Sequence, residues 1–394
     1  MARLFFTGAE VGSDLSGASE AVGGVGGAVS YSSTNPRTGT YCFLCNPVGA
    51  GLAQAWFGKL SASGSRTSIN TATVYARGYV RVEAYPASNW EEICSFSDTS
   101  GGQKFSVAID SAGKLSVYGT TGTNLLAGPS SSAIPLNTYT RIEAKAGTGA
   151  SAAFEVRVNG TVVLNGTHNS TNNVQYFKIG KEANRNSQGY TIRWDDIATD
   201  DAAYPGPGEI RIALPNGAGT DAAWSGAYTT VDEVPPDLGD FAQVIGDGST
   251  YDITYAMQDA ATVAGTGSIN SVLAWSFFQV GTGAPQNCAT RVRQSSSTQN
   301  TTGFSVSGST VGLAILLNTA PATSAAWTNA DFDALQIGAR EVAAIGTFKL
   351  GAVYAMVEFT SPEPPAGAGN NTNRRRYPDE VADRLQRRGR RPAA

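Results

Sequence analysis

Between Phe154 and Leu164 apolar and polar residues alternate: Phe154, Val156 and Val158 occupy every second position, Asn159-Gly160 interrupts, and Val162 and Leu164 resume the apolar set. Alternation with period two marks a half-buried strand, and Asn-Gly accepts the positive φ angles of a two-residue type I′ turn. The stretch therefore predicts a β-hairpin. The same grammar occurs upstream, where Phe105, Val107 and Ile109 alternate, Asp110-Ser111-Ala112-Gly113 turns, and Leu115 and Val117 continue. Further strands are predicted at Asp252–Met257, Ser271–Val280 and Leu350–Phe359. One helix is predicted near 328–337: Thr328 can cap it, Asp331 follows three residues on, and Phe332, Leu335 and Gln336 come next.

Punctuation divides the chain. Asp200-Asp201-Ala202-Ala203-Tyr204-Pro205-Gly206-Pro207-Gly208 carries two prolines and two glycines, which no regular element tolerates. The expectation is an all-β protein with two β-sandwich domains in tandem, 1–204 and 205–360, and an ordered loop at Val231–Asp237. Residues 361–394 read as a Pro/Gly linker and a short basic C-terminal tail.

Composition supports this division. Charged residues make up 15% of the 394, and 46 are glycine, as expected of a turn-rich β protein. The tail holds Arg374, Arg375, Arg376, Arg384, Arg387, Arg388, Arg390 and Arg391 against Asp379, Glu380 and Asp383, a net of five positive charges. Since the whole chain is −4, the body lies near −9, and the tail reads either as an anchor on an acidic protein surface, ahead of nucleic acid phosphates, or as a solvated, disordered extension. Pro378 suits the first turn of a short helix with Val381 and Leu385 on one side. The apolar run Leu4-Phe5-Phe6 is too short for a signal peptide, and no stretch reaches eighteen apolar residues, so a protein made soluble inside a cell, without membrane contact, is expected.

Cys42-Phe43-Leu44-Cys45 has the spacing of a metal knuckle, but no second pair follows and His168 is the only histidine. Residues three apart on a strand face opposite sides, so buried, reduced, structural thiols are expected and no metal site.

A resemblance emerges from the order of these segments. Tyr79-Val80-Arg81-Val82-Glu83, the hairpin at 105–117, Tyr139-Thr140-Arg141-Ile142-Glu143, Val158-Asn159-Gly160, Phe177-Lys178-Ile179-Gly180 and Trp194-Asp195-Asp196-Ile197 together resemble a laminin-G or concanavalin-like jelly roll over about half the chain. Leu4-Phe5-Phe6-Thr7-Gly8-Ala9-Glu10, the aspartate-rich junction, the Val231–Asp237 loop and Ala326-Trp327-Thr328-Asn329-Ala330-Asp331 resemble virion structural proteins of tailed bacteriophages. That resemblance implies a non-enzymatic protein on the particle surface, as capsid decoration, head fibre or tail component. It implies contacts with other capsid or tail proteins, a homo-oligomer, and anchorage in part through the basic tail. The alternative is a glycan-binding adhesion module for host surface polysaccharide.

Glycoside hydrolysis needs two carboxylates across one bond, and no Glu-x-Asp-x-Glu run is present. Glu91-Glu92 and Asp195-Asp196 are adjacent pairs whose members point to opposite faces of a strand, so solvent-facing charges or loop-bracing hydrogen bonds are expected. His168 lies in a polar context without a nucleophile motif and reads as a surface histidine in a loop; no catalytic residue is expected. The cluster Gly23-Gly24-Val25-Gly26-Gly27 reads as flexible loop, and the sequons at Asn159, Asn165, Asn169 and Asn300 matter only in a secretory pathway. For glycan binding, the candidates are Asn89-Trp90-Glu91 and Asn184-Arg185-Asn186, which place amides and charges beside a ring or a guanidinium. No cofactor is expected; calcium on Asp195-Asp196 and Asp200-Asp201 would need more oxygens than these pairs supply.

Overall fold

The computed structural model describes residues 3–10, 25–27, 29–48, 52–98, 102–119, 124–181, 189–234, 236, 239–283, 286–306, 310–342 and 345–361. Strand dominates them, as the alternation predicts, and the sheets form tandem β-sandwiches. The first sandwich packs an eight-stranded against a seven-stranded antiparallel sheet. The eight-stranded sheet runs Thr161–Ser170, Gly149–Val158, Thr140–Ala146, Val74–Ala84, Thr191–Asp200, Cys42–Cys45, Val29–Ser32, with Arg3–Thr7 also paired to Thr191–Asp200. The seven-stranded sheet runs Leu125–Ala127, Leu115–Gly119, Gln103–Asp110, Trp90–Ser97, Tyr176–Lys181, Ala53–Phe57, Val25–Gly27.

The two hairpins read from sequence form as predicted. Phe105, Val107, Ile109, Leu115 and Val117 are all fully buried. Asn159 and Gly160 take φ values of 50° and 84°, the positive pair a type I′ turn demands. One position departs: a bulge pairs Val156 with Leu164 and Arg157 with Val162, and Val162 is left 42% exposed. The extra residue shifts the parity beyond it, so an apolar residue expected inside lies outside.

The second sandwich joins a five-stranded sheet, Glu209–Ala213, Ile345–Thr360, Ser268–Gly283 and Val311–Leu317 with Ala242–Asp247 beside Ile345–Thr360, to a six-stranded one. The latter runs Pro215–Ala222, Tyr251–Met257, Leu335–Glu341, Gln286–Gln294, Ser297–Asn300, with Phe304–Val306 also on Gln286–Gln294. The predicted helix is shorter than expected. It spans Asn329–Asp333, with the Thr328/Asp331 capping box in place, and Leu335 already opens a strand. Leu335, Ile337 and Ala339 are fully buried at every second position, so period two overrides helical continuation. A second short helix, Ala260–Val263, was not predicted; the Asp333 carboxylate accepts its Ala260 N–H at 2.7 Å. Of the Val231–Asp237 loop, Val231 is fully buried, while Pro235 and Asp237 lie outside the described residues.

Residues 201–208, read as a break, lie as a strap across the charged outer side of the eight-stranded sheet. Tyr204 packs edge-on against Tyr75 at 4.9 Å and its hydroxyl donates to Glu155 at 3.1 Å. The Gly206 N–H donates to Glu143 at 2.9 Å and the Gly208 N–H to the Tyr79 hydroxyl at 3.3 Å. Beneath the strap the sandwiches join through buried charge. The Arg3 guanidinium bonds Glu358 at 2.6 and 3.0 Å and Asp200 at 2.9 Å, and Arg77 reaches Glu358 at 2.8 Å. Beside this network one apolar core includes Phe5 and Phe6 of the first sandwich and the ring stack Trp275–Phe277–Tyr354 of the second. The chain through Ser361 forms one compact unit.

Candidate functional site

The seven-stranded sheet has one apolar and one polar side, and its register defines the polar side residue by residue. Trp56 lies opposite Lys178, Lys178 opposite Ser95, Ser95 opposite Ser106, and Ser106 opposite Tyr118. Direct cross-strand partners share a face, so these five side chains form one row over five strands. Four interstrand spacings of ~4.8 Å make the row about 19 Å long. The residues between them, Phe57, Phe96, Phe105, Phe177, Ile179 and Val107, fill the core on the other side.

Both ends of the row are aromatic. At one end the Lys178 ammonium lies 4.1 Å from the centre of the Trp56 ring, Tyr176 packs against the indole at 5.6 Å, and the indole N–H donates to Gln54 at 2.8 Å. At the other, Trp90 stacks on Tyr118 with ring centres 3.7 Å apart and planes 18° from parallel. Trp56, Tyr176, Trp90 and Tyr118 are half-buried, whereas Ser95, Ser106 and Lys178 beneath them are buried. Tyr118 is pushed to a higher pKa by burial and then by the nearby Asp110 charge. The half-buried rings at the two ends are thus the accessible part of this face, and flat aromatic surface of this kind stacks on sugar rings.

A bulge at Ile93 decides where the adjacent glutamates go: Val107 pairs with Cys94 but Ala108 with Glu92. Glu92 therefore shares the polar face and accepts a hydrogen bond from Gln103, while Glu91 turns to the other side and bonds Lys181 at 3.0 Å. The opposite orientation expected for the pair is present, but the expected solvent exposure is not: both are fully buried. Of the sequence candidates for a sugar site, Asn89 holds a turn at φ 55° and its carbonyl accepts the Ser111 N–H at 3.0 Å. Trp90 reaches the polar face and Glu91 does not, so the three are not brought together. Asn184-Arg185-Asn186 and all eight tail arginines, Arg374 to Arg391, lie outside the described residues.

The aspartate pairs are braces. A bulge puts Asp196 at φ 48°, and both Asp195 and Asp196 are fully buried rather than solvent-facing. Asp195 accepts the backbone N–H groups of Arg37 at 2.7 Å and Thr38 at 3.3 Å. Asp196 accepts from the Arg37 guanidinium, from the Thr38 hydroxyl at 2.7 Å and from the Ile210 N–H at 2.7 Å. Burial, and then the Asp196 charge, hold the Asp195 carboxyl well above the usual carboxylate range. Asp200 is committed to Arg3 and to the Ala202 and Ala203 N–H groups. With their oxygens bonded to protein donors, Asp195, Asp196 and Asp200 offer little to calcium, whereas Asp201 is exposed; among the described residues no group of three or more His, Cys, Asp or Glu gathers for a metal.

His168 is not a surface loop residue. It lies in the strand Thr161–Ser170, 6% exposed, packed against Phe105 at 5.3 Å and Phe154 at 6.3 Å. Cys42 and Cys45 are buried and free, as are Cys94 and Cys288. Burial pushes the Cys42 thiol up to about 11. No helix among the described residues is long and apolar enough to cross a membrane.

The row on the seven-stranded sheet was missed in sequence although its signal was there. Ala53-Gln54-Ala55-Trp56-Phe57, Phe105-Ser106-Val107 and Leu115-Ser116-Val117-Tyr118 alternate, and the positions between the apolar ones define the polar face.

No family model matches the chain, and no curated protein matches it. Among solved structures it is similar to a cellulose-induced protein, at 19% identity over 46% of this chain and 88% of that one, with a TM-score of 0.37. It is also similar to an endo-β-1,4-glucuronan lyase from Trichoderma reesei, at 13% identity over 51% and 96%, TM-score 0.36. An alginate lyase, Aly36B, matches at 14% identity over 44% and 87%, TM-score 0.30. These likenesses concern the fold alone, the similar structures being jelly-roll or concanavalin-like. The expectation of a protein without enzymatic activity does not hold as stated: two of these structures, similar to this chain in fold alone, are polysaccharide lyases by name. None of the three is a virus-particle protein, and the expected place in a virion gains no support from them.

Proposed function

We propose that the polar face of the seven-stranded sheet binds a carbohydrate chain. The observation that carries this reading is the pair of half-buried aromatic clusters, Trp56 with Tyr176 and Trp90 with Tyr118, that the register places at the two ends of one row. A ring pair at each end, about 19 Å apart, suits an extended polymer rather than a single sugar. The finer reading, adhesion of a virion surface protein to host polysaccharide, rests on the order of sequence motifs and extends this proposal. So does the division of the compact unit into domains at 204/205.

Affinity electrophoresis of the full chain through gels containing single polysaccharides tests the binding, with released oligosaccharide assayed in parallel. Retardation by at least one polymer is expected, reduced about tenfold in affinity by Trp56→Ala and by Tyr118→Ala, since each removes a stacking platform worth about 1–1.5 kcal/mol. Unchanged retardation in both variants, or none by any polymer, would overturn the proposal. Immunoelectron microscopy of phage particles with an antibody to residues 1–200 tests the virion extension: regular labelling supports it and bare particles refute it.

A further inference from the structure

Thr161–Ser170 is the edge strand of the eight-stranded sheet and pairs with Gly149–Val158 alone, through a ladder whose register shifts near both ends. Most of its side chains are exposed; the buried ones are Leu164, His168 and Ser170. At Gly166, between Leu164 and His168, the strand has no side chain, and a Cβ there would come within 2.8 Å of the Phe154 ring. Its inward hold is therefore concentrated near its end. There His168 lies opposite Ala152 and between the rings of Phe105 and Phe154.

Lys104 reaches the same strand end from the facing sheet. It is 1% exposed, and its ammonium donates to the Ser170 hydroxyl and the Asn172 carbonyl. Asp98 is the acid that acts on Lys104, and its oxygens accept from the Gly102 N–H at 3.1 Å and the Asn172 amide at 3.0 Å. On Gly149–Val158, Glu155 and Arg157 lie on the other side of the sheet and bond each other at 2.6 Å. Among the facing strands packed on this one, Leu125–Ala127 carries no titratable group, and Leu115–Gly119 carries only Tyr118, whose ring lies on the opposite side against Trp90. Asp110 lies at the far end of the Lys104 strand. Lys104 is thus the charge that acts on the imidazole, and it opposes a second cation there. Neither ring nitrogen of His168 has a hydrogen-bond partner among the described residues; the Gly147 backbone favours a proton on the ring without reaching hydrogen-bonding geometry.

We propose that His168 is an acid-sensitive latch: when the imidazole takes up a proton, the edge strand Thr161–Ser170 detaches from the sandwich while the central strands stay paired. A proton on the buried ring puts two cations at one strand end and adds an N–H group with no acceptor. Bringing the ring to solvent relieves both. An edge strand does so by giving up one ladder rather than two, at a cost below that of unfolding the sheet. The latch lies apart from the aromatic row and does not depend on what that row binds.

Hydrogen exchange of the full chain, followed by mass spectrometry at pH 7 and pH 4 and expressed as protection factors, tests this. Peptides covering 161–170 should lose at least tenfold in protection between the two pH values, while those covering Val74–Ala84 and Thr191–Asp200 keep theirs. His168→Phe, which fills the slot between the rings without titrating, should abolish the loss. Lys104→Met removes the neighbouring charge, so its ratio of protection at pH 7 to that at pH 4 should be smaller than in the native chain, even if releasing Ser170 lowers both values. Undiminished protection of 161–170 at pH 4 in the native chain would overturn the proposal, as would an equal loss in all peptides, which is general acid destabilisation. The same loss in His168→Phe would also overturn it, by placing the sensitive group elsewhere.

Discussion

His168, the chain's only imidazole, is wedged between the rings of Phe105 and Phe154 at the inner side of a strand end. Burial, and then the Lys104 charge, lower its pKa to about 4, from 6.5 for a free imidazole. Between those values the unfolded chain binds more protons than the native one, so the His168 contribution is present above pH 6.5 and is lost as pH falls toward 4. The contribution is at most about 3.4 kcal/mol. Asp195 works in the other sense: its raised value favours the native chain at low pH, and that contribution fades as pH rises through the folded value. Comparison of variants isolates the histidine. Urea midpoints of the native chain should fall more steeply between pH 6.5 and 4 than those of His168→Leu; parallel curves would show that the imidazole is not buried neutral. The burial was legible in part, because His168 keeps the inward parity of Leu164 four residues earlier. The intervening Asn165-Gly166-Thr167 reads as loop, and only Phe154, whose ring a Cβ at Gly166 would strike at 2.8 Å, shows why a glycine belongs in that strand.

At the scale of elements, strands with a clean period of two were readable, and bulges were not. A bulge adds one residue without altering composition, so parity beyond it reverses silently. It exposes Val162, decides which of Glu91 and Glu92 shares the polar face, and turns Asp196 toward Arg37. The strap 201–208 is a second case. Its prolines and glycines announce a break, yet nothing local shows that its N–H groups would find Glu143 and Tyr79 on a distant strand pair. Tyr204 is its chief side-chain anchor, held by Tyr75, by Glu155 and by the Arg157 guanidinium 3.8 Å from its ring. Tyr204→Ala should destabilise the chain by about 2–3 kcal/mol, less than full aromatic truncation in a core because the ring is half-buried. The same variant should open the strap to proteolysis near residue 204 before the sandwiches unfold. A urea midpoint and cleavage rate equal to those of the native chain would show that the backbone bonds alone hold the strap.

Over the whole molecule, the decisive contacts are those that join the sandwiches, and they come from the two ends of the described chain. Arg3 stands at the start of the first sandwich and Glu358 at the end of the second, 355 residues apart, and Arg77 completes a buried set in which one carboxylate serves two guanidinium ions. No local pattern in a sequence reports such a pairing, which is why the tandem arrangement could be read and the junction could not. A buried network of this kind specifies one geometry, whereas breaking it strands charge in a medium that solvates charge poorly. Glu358→Gln would leave Arg3 with Asp200 and the Pro205 carbonyl, and Arg77 with backbone carbonyls only. The expected cost is about 3–5 kcal/mol. Because the apolar core also crosses the seam through Phe5, Phe6, Trp275 and Tyr354, the native chain should melt in a single calorimetric transition with equal calorimetric and van't Hoff enthalpies. Glu358→Gln should split it in two, since each sandwich keeps its own sheets while the link between them is weakened. A native chain that already melts in two steps would mean that the seam contributes little, and that the sandwiches are thermodynamically separate domains.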